Sequence, residues 1–147
     1  MSQDGAGVDL EKSLGYLLKE ASSALRVAME EVLRPLGMNV TRYACLELLA
    51  QRPGLSNSEL ARGAFVTRQS MNTLLQSLER EGLVTRPEEA PVGKILPTRL
   101  TPDGRRLLEK ATVAVRSVEL RMLAGMSEDE QSEAFQLLRK MIGSLRA

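Results

Sequence analysis

The helical spacing of apolar residues in this chain is interrupted once, between Gly82 and Thr101, and that interruption limits the folds it can adopt. Before Gly82, apolar residues recur at intervals of three and four, as they do along one face of a helix. Residues 83–86 and 94–100 are instead short runs typical of strands, with a turn-rich segment between them. After Thr101 the helical spacing returns. We therefore predict a mainly α fold with a two-stranded β-hairpin.

Start and stop signals divide the helical stretches into six helices. Ser56 with Glu59, and Ser127 with Glu130, have the spacing of capping boxes, in which two side chains cap one helix start reciprocally. A threonine before a proline, at Thr101, predicts a further start, and Gly82 suits the left-handed residue that ends a helix. The predicted helices span about residues 10–34, 41–51, 56–62, 67–81, 102–124 and 127–145.

The side-chain inventory excludes several function classes. The 147 residues include no His and one Cys, Cys45, so the commonest general base and the usual zinc ligands are missing. No phosphate-binding loop or dinucleotide fingerprint is present. We name no catalytic residue, no metal ligand and no cofactor, and we predict that the protein is not an enzyme.

Location is inferred from the same inventory. No apolar run approaches the roughly 18 residues that a membrane span needs, and residues 1–8 do not resemble a signal peptide. A single Cys cannot form an internal disulfide, which fits a reducing compartment. We expect a cytoplasmic protein without a membrane partner.

The helix after Thr67 has two unlike faces. Met71, Leu74, Leu75 and Leu78 form an apolar side, while Arg, Gln, Asn and Thr side chains fill the rest of its first turns. Arg can pair with guanine and Asn or Gln with adenine in a major groove. Two short helices followed by a hairpin describe a winged helix-turn-helix. The net charge of +1 gives no general attraction to DNA, so local cations must provide it.

Three segments resemble the MarR/SlyA family of bacterial regulators: residues 53–61, residues 66–70, and residues 78–86, followed by Leu100-Thr101-Pro102-Asp103-Gly104-Arg105. The resemblance covers the chain from about Leu10 to its end. It implies a homodimer in which helices within 9–35 and 102–147 intertwine, and a winged helix-turn-helix lobe over 38–101, all in one MarR-like domain. It also implies a role as a sequence-specific transcription regulator, in the form of a ligand-responsive repressor that binds a palindromic operator in double-stranded DNA.

The candidate DNA-binding residues follow from that resemblance and from the polar face. The family's wing usually carries an Asp and one or two Arg near its tip, whereas residues 90–94 of this chain read Ala-Pro-Val-Gly-Lys. We therefore expect the wing to rely on Arg86 and Lys94. The full candidate set is Ser56, Thr67, Arg68, Gln69, Ser70, Asn72, Thr73, Gln76, Arg86 and Lys94.

A small-molecule effector and two alternative functions stay open. Tyr16, Arg42 and Tyr43 are candidates to line an effector pocket where the dimerisation helices meet the DNA-binding lobe, which is where the family's effectors bind. Cys45 lies at an apolar position of its helix, so we expect a packing role, although a redox-responsive regulator is the alternative. A second alternative is a helical dimer with weakened DNA binding that acts as a protein-interaction module.

Overall fold

The computed structural model describes residues 7–86 and 98–147. The elements are α1 (Leu14–Leu33), α2 (Val40–Gln51), α3 (Asn57–Gly63), α4 (Arg68–Arg80), β1 (Val84–Thr85), β2 (Arg99–Leu100), α5 (Pro102–Leu123) and α6 (Glu128–Arg146). Short 3₁₀ helices, Leu10–Lys12 and Arg34–Leu36, precede and follow α1. The strands pair antiparallel, with Val84 opposite Leu100 and Thr85 opposite Arg99. The predicted mainly α fold with one two-stranded β-hairpin is confirmed.

The helix caps read from the sequence are present. Both capping boxes form: the Ser56 and Ser127 hydroxyls accept from the third helical N–H, and the glutamates there bond back to the serine N–H. Thr101 caps α5 by accepting from the N–H of Gly104. Gly82 has a φ of 75°, the left-handed conformation that glycine adopts without strain. Side chains next to each helix therefore set where it begins or ends.

The start of the first helix differs from the prediction. We predicted one helix from Leu10, but α1 begins at Leu14, after a 3₁₀ turn. The Asp9 carboxylate accepts from the N–H of Glu11, and the Ser13 hydroxyl accepts from the N–H of Tyr16. Asp and Ser side chains compete in this way with helical hydrogen bonds. The helical spacing of apolar residues therefore continues across a point where the helix itself is interrupted.

The core lies within the middle of the chain. Side chains from the end of α1, from α2, α3 and α4, and from the two strands meet there, and the most deeply buried are Leu33, Cys45, Leu46, Leu60, Met71, Leu75, Leu78 and Val84. Buried side chains of α3 and α4 belong to the same cluster, so their packing fixes the orientation of one helix relative to the other. The helix-turn-helix therefore packs on a core that α1 and α5 complete, with Leu33, Leu108 and Ala111.

The outer helices have much less internal packing. α1 packs against α5, where Ala28 and Val118 are buried, but no residue of α6 is buried. Phe135, Leu138 and Ile142 of α6 are 61%, 43% and 47% exposed. None of the helices described is long and apolar enough to cross a lipid bilayer.

Candidate nucleic-acid interface

Helix α4 separates an apolar face from a polar one. Met71, Leu75 and Leu78 are at most 1% exposed and anchor the helix in the core. Arg68, Gln69, Ser70, Thr73 and Gln76 are exposed, and Asn72 is half-buried. The exposed side chains are polar: Arg68 donates hydrogen bonds, and the amide and hydroxyl groups of the others can both donate and accept them. The geometry suits insertion of the amino-terminal half of α4 into a groove.

Hydroxyl groups surround the start of α4. The Thr67 hydroxyl accepts from the N–H of Ser70 at 3.0 Å and donates to the Ser70 hydroxyl at 3.0 Å. Ser56 caps α3 in the same manner, with its oxygen 3.1 Å from the N–H of Glu59. The first amides of α4 have no partner within the helix and carry its positive dipole end. Such an end can receive a phosphate.

The base of the hairpin is held tightly against the start of α5. The Thr101 hydroxyl donates to the carbonyl of Gly82 at 2.6 Å, and its N–H donates to the carbonyl of Leu83 at 3.1 Å. Gly104 lies so close to Leu83 that a Cβ added there would overlap the Leu83 carbonyl oxygen. The end of α4, the hairpin and α5 are therefore joined with little free space between them.

Arg86 folds back onto α4. Its Nη1 donates to Asn72 Oδ1 at 3.4 Å, its Nη2 lies 3.8 Å from Glu79 Oε1, and the side chain is 23% exposed. The structure thus brings two candidate residues together, Arg86 and Asn72, and leaves Arg86 aligned along the helix. Lys94, the other candidate of the wing, lies outside the described residues.

A second arginine joins α2 to the far end of α4. Arg42 Nη2 lies 2.7 Å from Glu81 Oε2, and the Ser77 hydroxyl donates to the same carboxylate oxygen at 3.2 Å. The hydrogen bond from Arg42 is the main reason that the pKa of Glu81 lies below its usual value. A carboxylate at a helix carboxyl end is unfavourable for the dipole, so the guanidinium compensates for it. Arg42 therefore helps to fix the position of α4.

Comparison with known proteins identifies the family. A protein-family model described as "MarR family" matches residues 36–95 of this sequence. The HTH-type transcriptional repressor Rv2887 of Mycobacterium tuberculosis is 42% identical over 135 residues, which cover 92% of this chain and 97% of that protein. The chain belongs to the MarR family of helix-turn-helix transcription regulators.

Solved structures of the same relative agree in fold. The crystal structure of Rv2887 in complex with DNA has a TM-score of 0.74 at 42% identity, and covers 88% of this chain and 97% of that one. The complex of Rv2887 with salicylic acid has a TM-score of 0.73 at 43% identity, and covers 88% and 96%. The predicted family and the predicted function as a DNA-binding regulator are confirmed.

Within this MarR-family chain, the three effector-site candidates have different surroundings. Tyr16 is 44% exposed on α1 and lines a shallow depression with its α1 neighbours Lys19, Glu20 and Ser23. Tyr43 is half-buried between α2 and α5, where burial, followed by the nearby Glu47, raises its pKa. Arg42 is engaged by Glu81. The depression lined by Tyr16 includes neither Arg42 nor Tyr43.

Cys45 sits in the core of the lobe. It is 0% exposed, its Sγ lies 3.7 Å from the Sδ of Met71, and burial raises the pKa of its thiol to about 12. The thiolate, which is the form that reacts with oxidants, is therefore disfavoured at neutral pH. The environment favours the packing role over redox sensing.

One cation of the hairpin was missed by the sequence analysis. Arg99 is exposed on β2, between the buried Thr98 and Leu100. Alternation of this kind follows from the period of two in a strand, so residues 94–100, once taken as a strand, could have placed Arg99 outward. The structure adds Arg99 to the candidate surface.

Proposed function

We propose that this chain represses transcription by binding a palindromic operator as a homodimer, with α4 of each subunit in the major groove. The observation that carries the proposal is the division of α4, whose apolar side is buried in the lobe while Arg68, Gln69, Thr73 and Gln76 are exposed. Bidentate pairing with guanine or adenine is available to Arg and Gln. The relative Rv2887, named as a repressor and crystallised with DNA, supports the proposal.

We assign base and phosphate contacts to different residues. Gln69, Thr73 and Gln76 are spaced by four and three, so they lie along one side of α4 and face the base edges together. The Ser56, Thr67 and Ser70 hydroxyls and the first amides of α4 contact phosphates. Arg86, Lys94 and Arg99 provide the cations of the wing. Asn72 reaches a base only after its bond with Arg86 opens.

A second copy of the chain covers the exposed apolar faces of α1 and α6. Phe135, Leu138 and Ile142 lie on one side of α6, and a helix with a wide apolar stripe in water needs a partner. Two-fold symmetry is the usual solution, and it gives two α4 helices related by the same axis. The operator is therefore palindromic, with half-sites about one helical turn apart.

A small ligand adjusts the affinity for DNA from the junction between α2 and α5. Rv2887 has been crystallised with salicylic acid, which supports a ligand of this size for this chain. Tyr43 lies beside Glu47 and Thr112, which belong to α2 and α5, and Arg42 has a buried Nε without an acceptor among the described residues. Tyr16 completes the site only from another subunit. A ligand that prefers one spacing of the two α4 helices shifts the dimer toward it. We also propose the cytoplasm as the location, because bacterial operators lie there.

The test is binding to duplexes selected from the source genome. Fluorescence anisotropy across a salt series should give an affinity for the selected duplex well above that for a scrambled one. Gln69→Ala should cost about 1 to 3 kcal/mol and relax the preference at one base pair, because it removes a base contact. Lys94→Ala and Arg99→Ala should weaken both duplexes alike and reduce the salt slope by about one each.

Gln51→Ala is the control, since Gln51 is exposed at the end of α2, bonds to Glu47 and is not among the candidate DNA-binding residues. Equal affinity for selected and scrambled duplexes would reject a sequence-specific regulator and favour the protein-interaction module. A change of base preference in Lys94→Ala, with none in Gln69→Ala, would move the reading surface from α4 to the hairpin.

A further inference from the structure

A second surface depression lies where α2, α3 and α6 end, and its lining includes no residue of α4. The cavity has a volume of about 730 Å³. Its apolar floor includes Leu48 and Leu55, and a Cβ on Gly63 would press against the Leu48 side chain, so α2 and α3 are in close contact there. The residues that carry chemistry around the floor are Arg52, Glu59, Arg62, Phe65 and Arg146.

Three arginines and one glutamate line this cavity. Arg52 follows α2, Arg62 is in the last turn of α3, and Arg146 is the last residue of α6. The ion pairs found among the described residues involve other arginines. The carboxylate of Glu59 is occupied by the capping box, and its bond from the N–H of Ser56 is the main reason that the pKa of Glu59 is lowered. The cavity therefore carries a net formal charge of +2 that its own residues do not neutralise.

An exposed aromatic ring stands at the edge of the same cavity. Phe65 is 84% exposed and has a φ of 59°, a left-handed conformation that side chains other than glycine adopt rarely. The turn itself requires that conformation, because the N–H groups of Phe65 and Val66 return to the carbonyls of Arg62 and Ala61. Gly or Asn would satisfy the backbone at less cost. The ring gains nothing from burial in this chain, so it is available to a ligand.

Cations near helix carboxyl ends have an ordinary structural role, because they interact with the last carbonyl groups. That role accounts for each of Arg62 and Arg146 alone. It does not account for the convergence of three arginines from three elements on one cavity, nor for the exposed ring beside them. The arginines suit an anionic group of a ligand, and the exposed ring suits a planar group of the same ligand.

We propose that this cavity binds an organic phosphate monoester that carries a planar ring. A phosphomonoester has a charge between about −1.5 and −2 near neutral pH, which matches the net charge of the lining. Guanidinium groups bind phosphate through paired N–H donors, and a flat ring stacks on Phe65 above the Leu48 and Leu55 floor. The ligand joins α3 to the end of α6, so its binding links the DNA-binding lobe to a helix that has no buried residue of its own.

Calorimetry on the unmodified protein tests the site without DNA, so its outcome is independent of the proposed operator binding. The probes are adenosine monophosphate, adenosine and inorganic phosphate at low ionic strength. We expect adenosine monophosphate to bind best, inorganic phosphate at least tenfold more weakly, and adenosine not at all. Arg62→Gln and Arg146→Gln should each weaken the nucleotide at least tenfold. Phe65→Asn, which keeps a residue that tolerates the left-handed backbone, should weaken the nucleotide and leave inorganic phosphate unchanged.

Arg116→Gln is the matched control, because Arg116 is exposed on α5 and does not line the cavity. No nucleotide binding at millimolar concentration, or equal losses in Arg116→Gln and Arg62→Gln, would overturn the proposal. A phosphate of the DNA backbone is the other source of the same chemistry. If Arg62→Gln and Arg146→Gln lower the salt slope of DNA binding by about one while the nucleotide does not bind, the cavity serves DNA and the small-ligand assignment is wrong.

Discussion

The DNA-binding lobe and the helix α6 use the same apolar residue types in opposite ways. Leu60, Leu75 and Leu78 of the lobe are at most 1% exposed, whereas Leu138 and Leu145 of α6 are 43% and 86% exposed. Both regions show apolar residues at helical spacing, so spacing alone does not tell where a helix finds its partner. The lobe completes its core within one chain, whereas the apolar side of α6 is exposed there and, by our proposal, is covered by a second copy. Damage to the first should reduce stability, and damage to the second should reduce assembly.

The largest effect is expected from a charge in the α6 stripe. Leu138→Asp or Ile142→Asp should convert the dimer to a monomer at micromolar concentration and abolish operator binding, because an unpaired carboxylate cannot be buried in an apolar interface. Light scattering and anisotropy measure the two outcomes. Gln136→Asp places the same charge on the opposite side of α6 and should keep the dimer. If the unmodified protein is a monomer at the same concentration, α6 is not a dimer interface and this prediction is wrong.

A methyl group at the hairpin base should damage the lobe without affecting assembly. Gly104→Ala forces a Cβ against the Leu83 carbonyl oxygen, which is backbone and cannot move aside cheaply. We expect a loss of about 1 to 3 kcal/mol in the free energy of unfolding, measured by denaturant titration. Gly143→Ala is the matched change in α6, where an added Cβ meets nothing within 4 Å in this chain. It should leave stability unchanged or raise it by about 0.5 to 1 kcal/mol, because alanine favours the helix.

Cys45 tests the interior of the lobe more finely. Cys45→Ser should lower the free energy of unfolding by about 1 to 3 kcal/mol, since a hydroxyl replaces a buried thiol in apolar surroundings. Cys45→Ala should bind DNA and respond to ligand as the unmodified protein does. Release of the unmodified protein from DNA by peroxide, but not of Cys45→Ala, would establish the redox alternative instead.

The smallest effect concerns the ion pair between α2 and the end of α4. The pKa of Glu81 is lowered in the folded state, so the pair adds stability above the unfolded pKa, about 4.3, and this contribution disappears as the pH falls through the folded pKa. Glu81 is 48% exposed, so Glu81→Gln should cost at most about 1 kcal/mol at pH 7. The deficit should shrink below about pH 4, by the same linkage. Glu109→Gln, at an exposed position of α5, is the control. A deficit independent of pH would mean that packing, and not charge, holds Glu81 in place.

The parts of this fold that could be predicted from the sequence are those set by neighbouring residues. Ser56 with Glu59, Thr101 with Gly104, and the glycine at 82 act within three or four positions, and each was found in its predicted role. The bond of Arg86 with Asn72 spans 14 positions and depends on how the hairpin folds back, which no local pattern encodes. Likewise, the partner of Arg42 is 39 positions away.

The candidate surface divides along the same line. The polar face of α4 follows from helical period and composition, so Gln69, Thr73 and Gln76 could be placed before the structure was known. The exposure of Arg99 between the buried Thr98 and Leu100 follows from the period of two in a strand, so the predicted strand over residues 94–100 could also have placed it. The cavity between α2, α3 and α6 joins residues that are up to 98 positions apart, from Leu48 to Arg146, and could only be found in three dimensions.

The contacts between Gly82, Leu83, Thr101 and Gly104 fix the base of the hairpin to the start of α5, so the hairpin moves with that helix. With 22 residues, α5 is about 33 Å long at roughly 1.5 Å per residue. Because these contacts leave little free space, the strands follow the start of α5. A tilt of α5 by roughly 5° about its carboxyl end displaces its amino end, and the strands with it, by about 3 Å at that helix length. A displacement of this size is comparable to a hydrogen-bond length, so it is enough to break contacts with a groove. A change in the angle between α5 and α1, which pack against each other, would therefore shift the hairpin relative to a bound groove.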